Sequence, residues 1–212
     1  MPVGPSQYPV NLVVEGRACL VVGGGAVAAR KVVGLLACGA ALTVVAPEVG
    51  QEIADWAAAG EVTLERRPYR RGEAADYRLV IAATDDRDVN EAVYVDAEAA
   101  GVWVNSADDP ATCSFTLPSV VRRGPLVVTV ATGGHSPAMA TWLRAHVEQE
   151  MGDEYRVLLE LLSAERQALK AAGRSTEGLD WQKALDSNML ELIREGQIGQ
   201  ARERLQACLS SS

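Results

Sequence analysis

Residues 17–46, which read RACLVVGGGAVAARKVVGLLACGAALTVVA, decide the fold. The apolar run at 17–22 is typical of a strand that is buried on both faces. Three glycines follow it, and residues 26–38 then carry apolar side chains at helical spacing until Gly39. A second apolar run at 41–46 stops at Pro47. This order of strand, helix and strand predicts a βαβ unit with a right-handed crossover.

The alternation of strands and helices continues to about residue 110. Helical patterns occupy 52–59 and 89–100, apolar strand patterns occupy 62–66 and 79–83, and a further strand begins at 103. Strands that alternate with helices predict an α/β fold with a doubly wound, Rossmann-like parallel sheet. We therefore assign residues 1–113 to a nucleotide-binding domain.

The pattern changes after Pro110. Two β-rich runs at 114–121 and 126–131 are separated by Arg-Arg-Gly-Pro, which favours a hairpin or an exchanged β element. From residue 137 to 209 the pattern is helical, with a loop at 173–178. We therefore expect a small β-rich region at 114–146 and an α-helical domain at 147–212.

Composition excludes some classes of protein. A formal net charge of −8 argues against a general nucleic-acid binder, which needs a basic face. The N-terminus lacks the features of a signal peptide, and no apolar run is long enough to span a membrane. The four cysteines form no C-x-x-C pair, so we predict free thiols, no permanent metal site and a cytoplasmic location.

The glycine motif Gly23-Gly24-Gly25-Ala26-Val27-Ala28 has the form G-x-G-x-x-A. The first glycine permits a tight turn off the strand, the glycine at the third position lets a pyrophosphate approach the backbone, and the final alanine permits close packing of helix on strand. Because the motif lies between a buried strand and a helix, it predicts a dinucleotide site rather than a plain strand-to-helix turn.

The end of the second strand indicates which dinucleotide binds. An acidic residue there commonly binds the adenosine ribose 2′-hydroxyl, and here Glu48 follows Ala46 and Pro47. No Arg or Lys is nearby in the sequence to bind a 2′-phosphate. We therefore predict NAD rather than NADP as the cofactor.

Polar residues follow the next two strands. Thr84 comes after the strand at 79–83, and we predict that it either hydrogen-bonds the cofactor or belongs to a turn in which Asp85 or Asp86 caps the next helix. Asn105 and Asp108 follow the strand that begins at 103. A carboxylate at this edge is placed to accept a proton, although Asn, Asp and Pro also form ordinary turns.

A third polar segment, Thr132-Gly133-Gly134-His135-Ser136, precedes a helix that begins with Pro137. Ser136 is a natural N-cap, and the glycines leave backbone N–H groups available to an anion. The segment is therefore either a structural cap or a contact for substrate carboxylates. Both interpretations remain open from the residues alone.

Taken in order, these segments resemble the precorrin-2 dehydrogenase family, also known as the sirohaem synthase N-terminal module. The resemblance rests on VVGGGAVAARK at 21–31, LTVVAPE at 42–48, IAATDD at 81–86, VNSADDP at 104–110 and CSFTLPSVVRRGPLVVTVATGGHSP at 113–137. It covers residues 8–147. The chain departs from the family at Ser106, where members often have Val, and at Thr132, where some homologues have a serine.

The resemblance implies a homodimer, formed through the β-rich region, that oxidises precorrin-2 to sirohydrochlorin. It implies NAD contacts at the glycine turn, Gly23 to Val27, and at Pro47 and Glu48. It also places the family's key aspartate at Asp108. We accordingly predict substrate contacts at Asn105 and at the turn Thr132, Gly133, Gly134, His135 and Ser136.

Two alternatives remain. Some family members also insert ferrous iron into sirohydrochlorin, and the sequence does not decide whether this chain does. The glycine motif alone is also compatible with a non-catalytic NAD-sensing regulatory module, since a fold does not determine a function.

Overall fold

The computed structural model describes residues 7–107 and 109–210, so Asp108 lies outside the described residues. The chain forms two compact units that meet between Leu117 and Pro118 in the sequence. The boundary lies a few residues beyond the predicted one, and the β-rich and helical regions share the second unit.

The first unit contains a five-stranded parallel sheet in the order β3-β2-β1-β4-β5. Its strands are β1 (Ala18–Val22), β2 (Ala41–Val45), β3 (Thr63–Glu65), β4 (Leu79–Ala82) and β5 (Trp103–Ser106). From β1 the chain adds β2 and β3 on one side of the sheet, and it then adds β4 and β5 on the other side. This reversal confirms the predicted doubly wound sheet. The carboxyl ends of β1 and β4 flank the point of reversal, where ligands of such sheets bind.

Helices cover both faces of this sheet. They are α1 (Ala26–Leu36), α2 (Gln51–Ala58) and α3 (Arg87–Ala99). Alternate residues of each strand face opposite sides, so Val21 packs in the core beneath α1 and α2 while Leu20 packs in the core beneath α3. Both valines that end β2 are fully buried, one on each face.

The second unit begins with an antiparallel hairpin of β6 (Ser119–Arg123) and β7 (Leu126–Val130). Five helices follow: α4 (Pro137–Glu150), α5 (Glu154–Ala171), α6 (Trp181–Leu185), α7 (Met189–Arg194) and α8 (Ile198–Ser210). The last four share a core of their own, in which Met189 and Leu205 are fully buried. Among the described residues, no helix combines the length and apolarity required to cross a lipid bilayer.

The predicted strand at 114–121 is wrong in its first half, because β6 begins only at Ser119. The backbone N–H groups of Ser114 and Phe115 donate instead to the carbonyl oxygen of Val104 at 2.8 and 3.4 Å. This segment is therefore bound along β5 in the first unit. Its β-like composition reflects that contact rather than membership of the hairpin.

Candidate functional site

The first two glycines of the motif are required by close backbone packing. Gly23 has φ +128°, its N–H donates to Val45 O at 3.0 Å, and a Cβ at this position would overlap the carbonyl oxygen of Ala83. A Cβ on Gly24 would overlap the carbonyl oxygen of Glu48. The glycine loop therefore touches the residues that directly follow the carboxyl ends of β2 and β4. We call these positions the exits of the two strands.

Gly25 differs from its two neighbours. It has an ordinary extended backbone, and a Cβ placed on it would have no atom within 4 Å. It is the N-cap of α1, and no side chain caps the helix there. The first N–H groups of α1 are thus available to an anion at a position where bare backbone faces open space. Ala28 is fully buried, as the motif predicts.

The exit of β2 packs over this loop. The N–H of Gly50 donates to Gly24 O at 2.9 Å, and Glu48 and Pro47 are both exposed beside it. Glu48 is therefore exposed just after β2, and its contact with a ribose stays a prediction.

The structure corrects one expectation about this edge. Because β3 pairs with β2, Arg66 and Arg67 lie next to the β2 exit although they are far from it in the sequence. Arg67 is held by Glu65 and by Glu73, and the hydrogen bond to Glu73 raises the pKa of Arg67. One of the two cations is thus already neutralised by carboxylates, whereas the Arg66 side chain is exposed.

The exit of β4 is fixed by a buried asparagine that the sequence analysis did not single out for a role. Asn90 accepts hydrogen bonds at Oδ1 from the N–H and the hydroxyl of Thr84, at 3.2 and 2.8 Å, and its Nδ2 donates to Thr84 O at 2.9 Å. Asp86 caps α3 by accepting from the N–H groups of Asp88 and Val89, so the capping interpretation is confirmed for it. A sequence signal existed: Asn90 is a polar residue at a core-facing position of the helix.

The exit of β5 is held in a similar way. Asn105 is buried, and its Nδ2 donates to Phe115 O at 2.9 Å. The Cys113 thiol accepts the N–H of Ser106 at 3.2 Å, and burial raises the pKa of this thiol. Asp109 caps the short turn that follows, through the N–H of Ala111. Ser106 and Asp109 are therefore each held by hydrogen bonds within the first unit.

A cleft of about 430 Å³ lies at the exits of β4 and β5 beside the start of α3. Arg87 and Asp109, which both line it, form a weak ion pair of 3.6 Å. No group of three or more metal-ligating side chains occurs in the described part of the chain. The residues that line the cleft are all polar or charged: Thr84, Asp85, Arg87, Asn90, Glu91, Ser106, Asp109 and Thr112.

The predicted turn of the second unit is an ordered helix cap. The Thr132 hydroxyl accepts the N–H of Ser136 at 3.2 Å, and the Ser136 hydroxyl accepts the N–H of Met139 at 3.1 Å. Gly133 and Gly134 both adopt left-handed backbone, with φ +59° and +82°. His135 is exposed. The capping interpretation is therefore confirmed for Ser136, and contact with substrate stays a prediction for this turn.

Comparison with known proteins adds independent support. Residues 10–119 match a family model described as "Putative NAD(P)-binding". The chain is 41% identical over 206 residues to a siroheme synthase of Nitrosococcus oceani and 39% identical over 203 residues to one of Chromobacterium violaceum. These alignments cover 96% and 94% of this chain but only 44% and 43% of the relatives, so the chain spans less than half their length.

A solved structure matches over nearly the whole of both chains. The protein described as "SirC, precorrin-2 dehydrogenase" aligns with a TM-score of 0.69 and 27% identity, over 97% of this chain and 98% of that one. The glycine loop, the strand order and the sequence matches thus agree with one another. The chain belongs to the putative NAD(P)-binding family, and it is similar to siroheme synthases and to a precorrin-2 dehydrogenase, as its sequence motifs predict.

Proposed function

We propose that this chain oxidises precorrin-2 to sirohydrochlorin with NAD as the hydride acceptor. The observation that carries the proposal is Gly25, an uncapped and unobstructed helix start at the point where the sheet order reverses. A cleft lined by polar side chains lies at the neighbouring strand exits. The end-to-end similarity to a precorrin-2 dehydrogenase indicates which oxidation this arrangement serves.

The residues present fit a dinucleotide. The N-terminus of α1 holds the pyrophosphate through its free N–H groups and its dipole. The exposed Glu48 carboxylate accepts a hydrogen bond from the adenosine ribose. Arg67 is already paired with two glutamates, so its charge is not available to bind a 2′-phosphate. Of these features, the Glu48 carboxylate favours NAD over NADP, although the Arg66 side chain stays exposed beside the same strand end. NAD, when bound, supplies an acceptor for two electrons and one proton, as a hydride.

The chain's own part in the reaction is to position the reactants and to receive the remaining proton. Precorrin-2 and NAD⁺ give sirohydrochlorin, NADH and one proton, so atoms and electrons balance. Asp108 receives the proton. The turn at 132–136 contacts the substrate, whose carboxylates suit the backbone N–H groups of Gly133 and Gly134. The gain of conjugation in the macrocycle favours the reaction, so positioning is the main task of the protein.

The test is an assay of the full chain with NAD and enzymatically prepared precorrin-2, followed by NADH absorbance. Wild type is expected to turn over, and Asp108→Ala is expected to lose most of that turnover. Glu61→Ala is the control, because it removes an exposed carboxylate that lies before β3 and does not line the cleft. Binding of NAD with no turnover of precorrin-2 would instead identify an NAD sensor. A separate incubation of purified sirohydrochlorin with ferrous ion tests for chelatase activity.

We further propose that the enzyme acts as a cytoplasmic homodimer. The four cysteines, all of which lie in the described part of the chain, form no disulfide, which suits a reducing compartment. The region 114–146 presents exposed apolar side chains at Val127, Met139 and Trp142, and a second copy would bury them. Sedimentation of wild type is expected to give the mass of a dimer, and Trp142→Glu is expected to shift it toward the monomer. An unchanged mass in this variant would contradict the assignment of this surface to the dimer interface.

A further inference from the structure

Ser106 is the last residue of β5 and one of the cleft's lining residues. It is only 5% exposed, and its hydroxyl makes no hydrogen bond to any described residue. Its backbone N–H and carbonyl are both occupied by the Cys113 thiol. A nearly buried hydroxyl without a protein partner can hydrogen-bond only to water or to a ligand, and losing both would be costly.

The hydroxyl keeps access to the cleft. In the described part of the chain, no side-chain nitrogen or oxygen that is sealed from solvent lacks a hydrogen-bond partner. Since the Ser106 oxygen has no partner among the described residues, it is not one of the sealed atoms and stays open to water or a ligand. The cleft is the space that Ser106 lines. The other buried polar side chain that lines the cleft is Asn90, and both its amide oxygen and its amide nitrogen are hydrogen-bonded to Thr84. Of the two buried polar side chains that line the cleft, Ser106 is therefore the one whose polar atom can still hydrogen-bond a ligand.

We propose that the Ser106 hydroxyl hydrogen-bonds the carboxamide of the nicotinamide ring. This inference rests on the proposed use of NAD. A dinucleotide whose pyrophosphate lies at the start of α1 and whose adenosine lies at the β2 exit extends its other half toward β4 and β5. The cleft at those two exits is where the nicotinamide then lies.

The chemistry of the cleft supports a carboxamide over a substrate carboxylate. A hydroxyl can both donate to a carbonyl and accept from an N–H₂, which matches a neutral amide. Asp85, Glu91 and Asp109 also line the cleft, whereas Arg87 is the one cation among the described lining residues and lies 3.6 Å from Asp109. Three carboxylates repel an anionic group but leave a neutral amide unaffected.

The experiment compares two ligands by titration calorimetry on the full chain. NAD contains the nicotinamide, and ADP-ribose is the same molecule without it. Ser106→Ala is expected to weaken NAD binding about 3- to 10-fold, the value of one neutral hydrogen bond, and to leave ADP-ribose binding unchanged. Ser106→Thr keeps a hydroxyl and is expected to restore most of the NAD affinity.

Ser114→Ala is the matched control. The Ser114 hydroxyl is bonded to Val104 within the protein, so its loss is expected to reduce stability without separating the two ligands. Equal weakening of NAD and ADP-ribose by Ser106→Ala, or no weakening of either, would overturn the assignment. Because binding is measured without precorrin-2, failure of the wild type to oxidise precorrin-2 would count against the proposed function and not against Ser106.

Discussion

At the scale of single residues, the glycine loop separates structural from functional requirements. Gly23 and Gly24 have carbonyl oxygens in the space where a side chain would lie, whereas Gly25 has none. The loop therefore needs its first two glycines in order to fold. The third glycine, Gly25, leaves open space in which a ligand can bind.

The first prediction follows from this contrast. Gly25→Ala is expected to fold with nearly unchanged stability, since its φ of −82° suits any residue and no atom obstructs the methyl group. The same methyl group is expected to lower NAD affinity at least about 10-fold, because it occupies the approach of the pyrophosphate. Thermal unfolding and NAD titration measure the two effects.

Gly23→Ala is the comparison variant. At φ +128° and against Ala83 O, an alanine is expected to lower the stability of the first unit itself. If Gly25→Ala left NAD affinity unchanged, or destabilised the protein as much as Gly23→Ala, the division of roles within the loop would be wrong.

The Asp96 carboxylate carries a second prediction at this scale. Burial alone would raise its pKa, but hydrogen bonds from Arg71, from the N–H of Gly72 and from Tyr69 outweigh burial and lower the pKa below its ordinary value of 3.8. A carboxylate whose pKa is lower in the folded state stabilises the protein fully above its unfolded pKa. That contribution is expected to be lost as the pH falls through and below 3.8.

Urea unfolding of the full chain at pH 7 and at about pH 3 measures this effect. Asp96→Asn is expected to be less stable than wild type at pH 7 and to show a smaller loss of stability between the two pH values. The matched control is Glu98→Gln on the exposed side of α3. An acid dependence of Asp96→Asn equal to that of wild type would exclude this carboxylate as a source of acid lability.

At the scale of elements, Arg123 of β6 holds the end of α4. Its Nε donates to Met151 O at 2.7 Å and its Nη2 to Glu148 O at 2.9 Å. These are carbonyls of the last helical turn, which have no partner within the helix and lie at the negative end of its dipole. Arg123→Ala is expected to cost about 1–3 kcal/mol of the free energy of unfolding.

Urea unfolding followed by circular dichroism measures the cost for Arg123. The control Arg166→Ala removes an exposed arginine of α5 and is expected to change stability by less than about 0.5 kcal/mol. Arg123→Lys is expected to recover only part of the loss, because an ammonium lacks the planar fork that spans two carbonyls. Equal stability of Arg123→Ala and Arg166→Ala would show that the contact contributes nothing.

The elements also show why sequence patterns reach only part of the site. Local periodicity predicts β1, α1 and β2 nearly to the residue, because each is set by its own apolar spacing. It misses that β3 pairs with β2 and so brings Arg66 to the β2 exit, since strand pairing is a tertiary property. It also misplaces the start of β6, because a β-like run at 114–118 binds β5 instead.

The same limit applies to side chains that serve the site. Thr84 and Asn90 are both visible in the sequence, but their mutual hydrogen bonds depend on how α3 packs against β4. In the sequence, Ser106 is visible only as a residue that differs from the family pattern in the motif at 104–110. Its significance depends on burial, which no local pattern supplies.

At the scale of the whole molecule, the two units have separate hydrophobic cores. The sheet and its helices bury Leu20, Val21 and Ile81, and the C-terminal helices bury Met189 and Leu205 among themselves. The features that fit a dinucleotide all belong to the first unit. A ligand that binds one unit stabilises the amides of that unit against exchange by an amount set by its concentration and affinity.

Hydrogen exchange of the full chain is therefore expected to respond in two steps. NAD alone should slow exchange in the first turn of α1 and at the exits of β4 and β5, while α5, α7 and α8 keep their rates. Adding sirohydrochlorin, the product, should then slow exchange at residues 132–139, because we propose that this turn contacts the carboxylates of the tetrapyrrole. Protection of the C-terminal helices by NAD alone would contradict the separate cores, and no protection at 132–139 would remove that turn from the tetrapyrrole site.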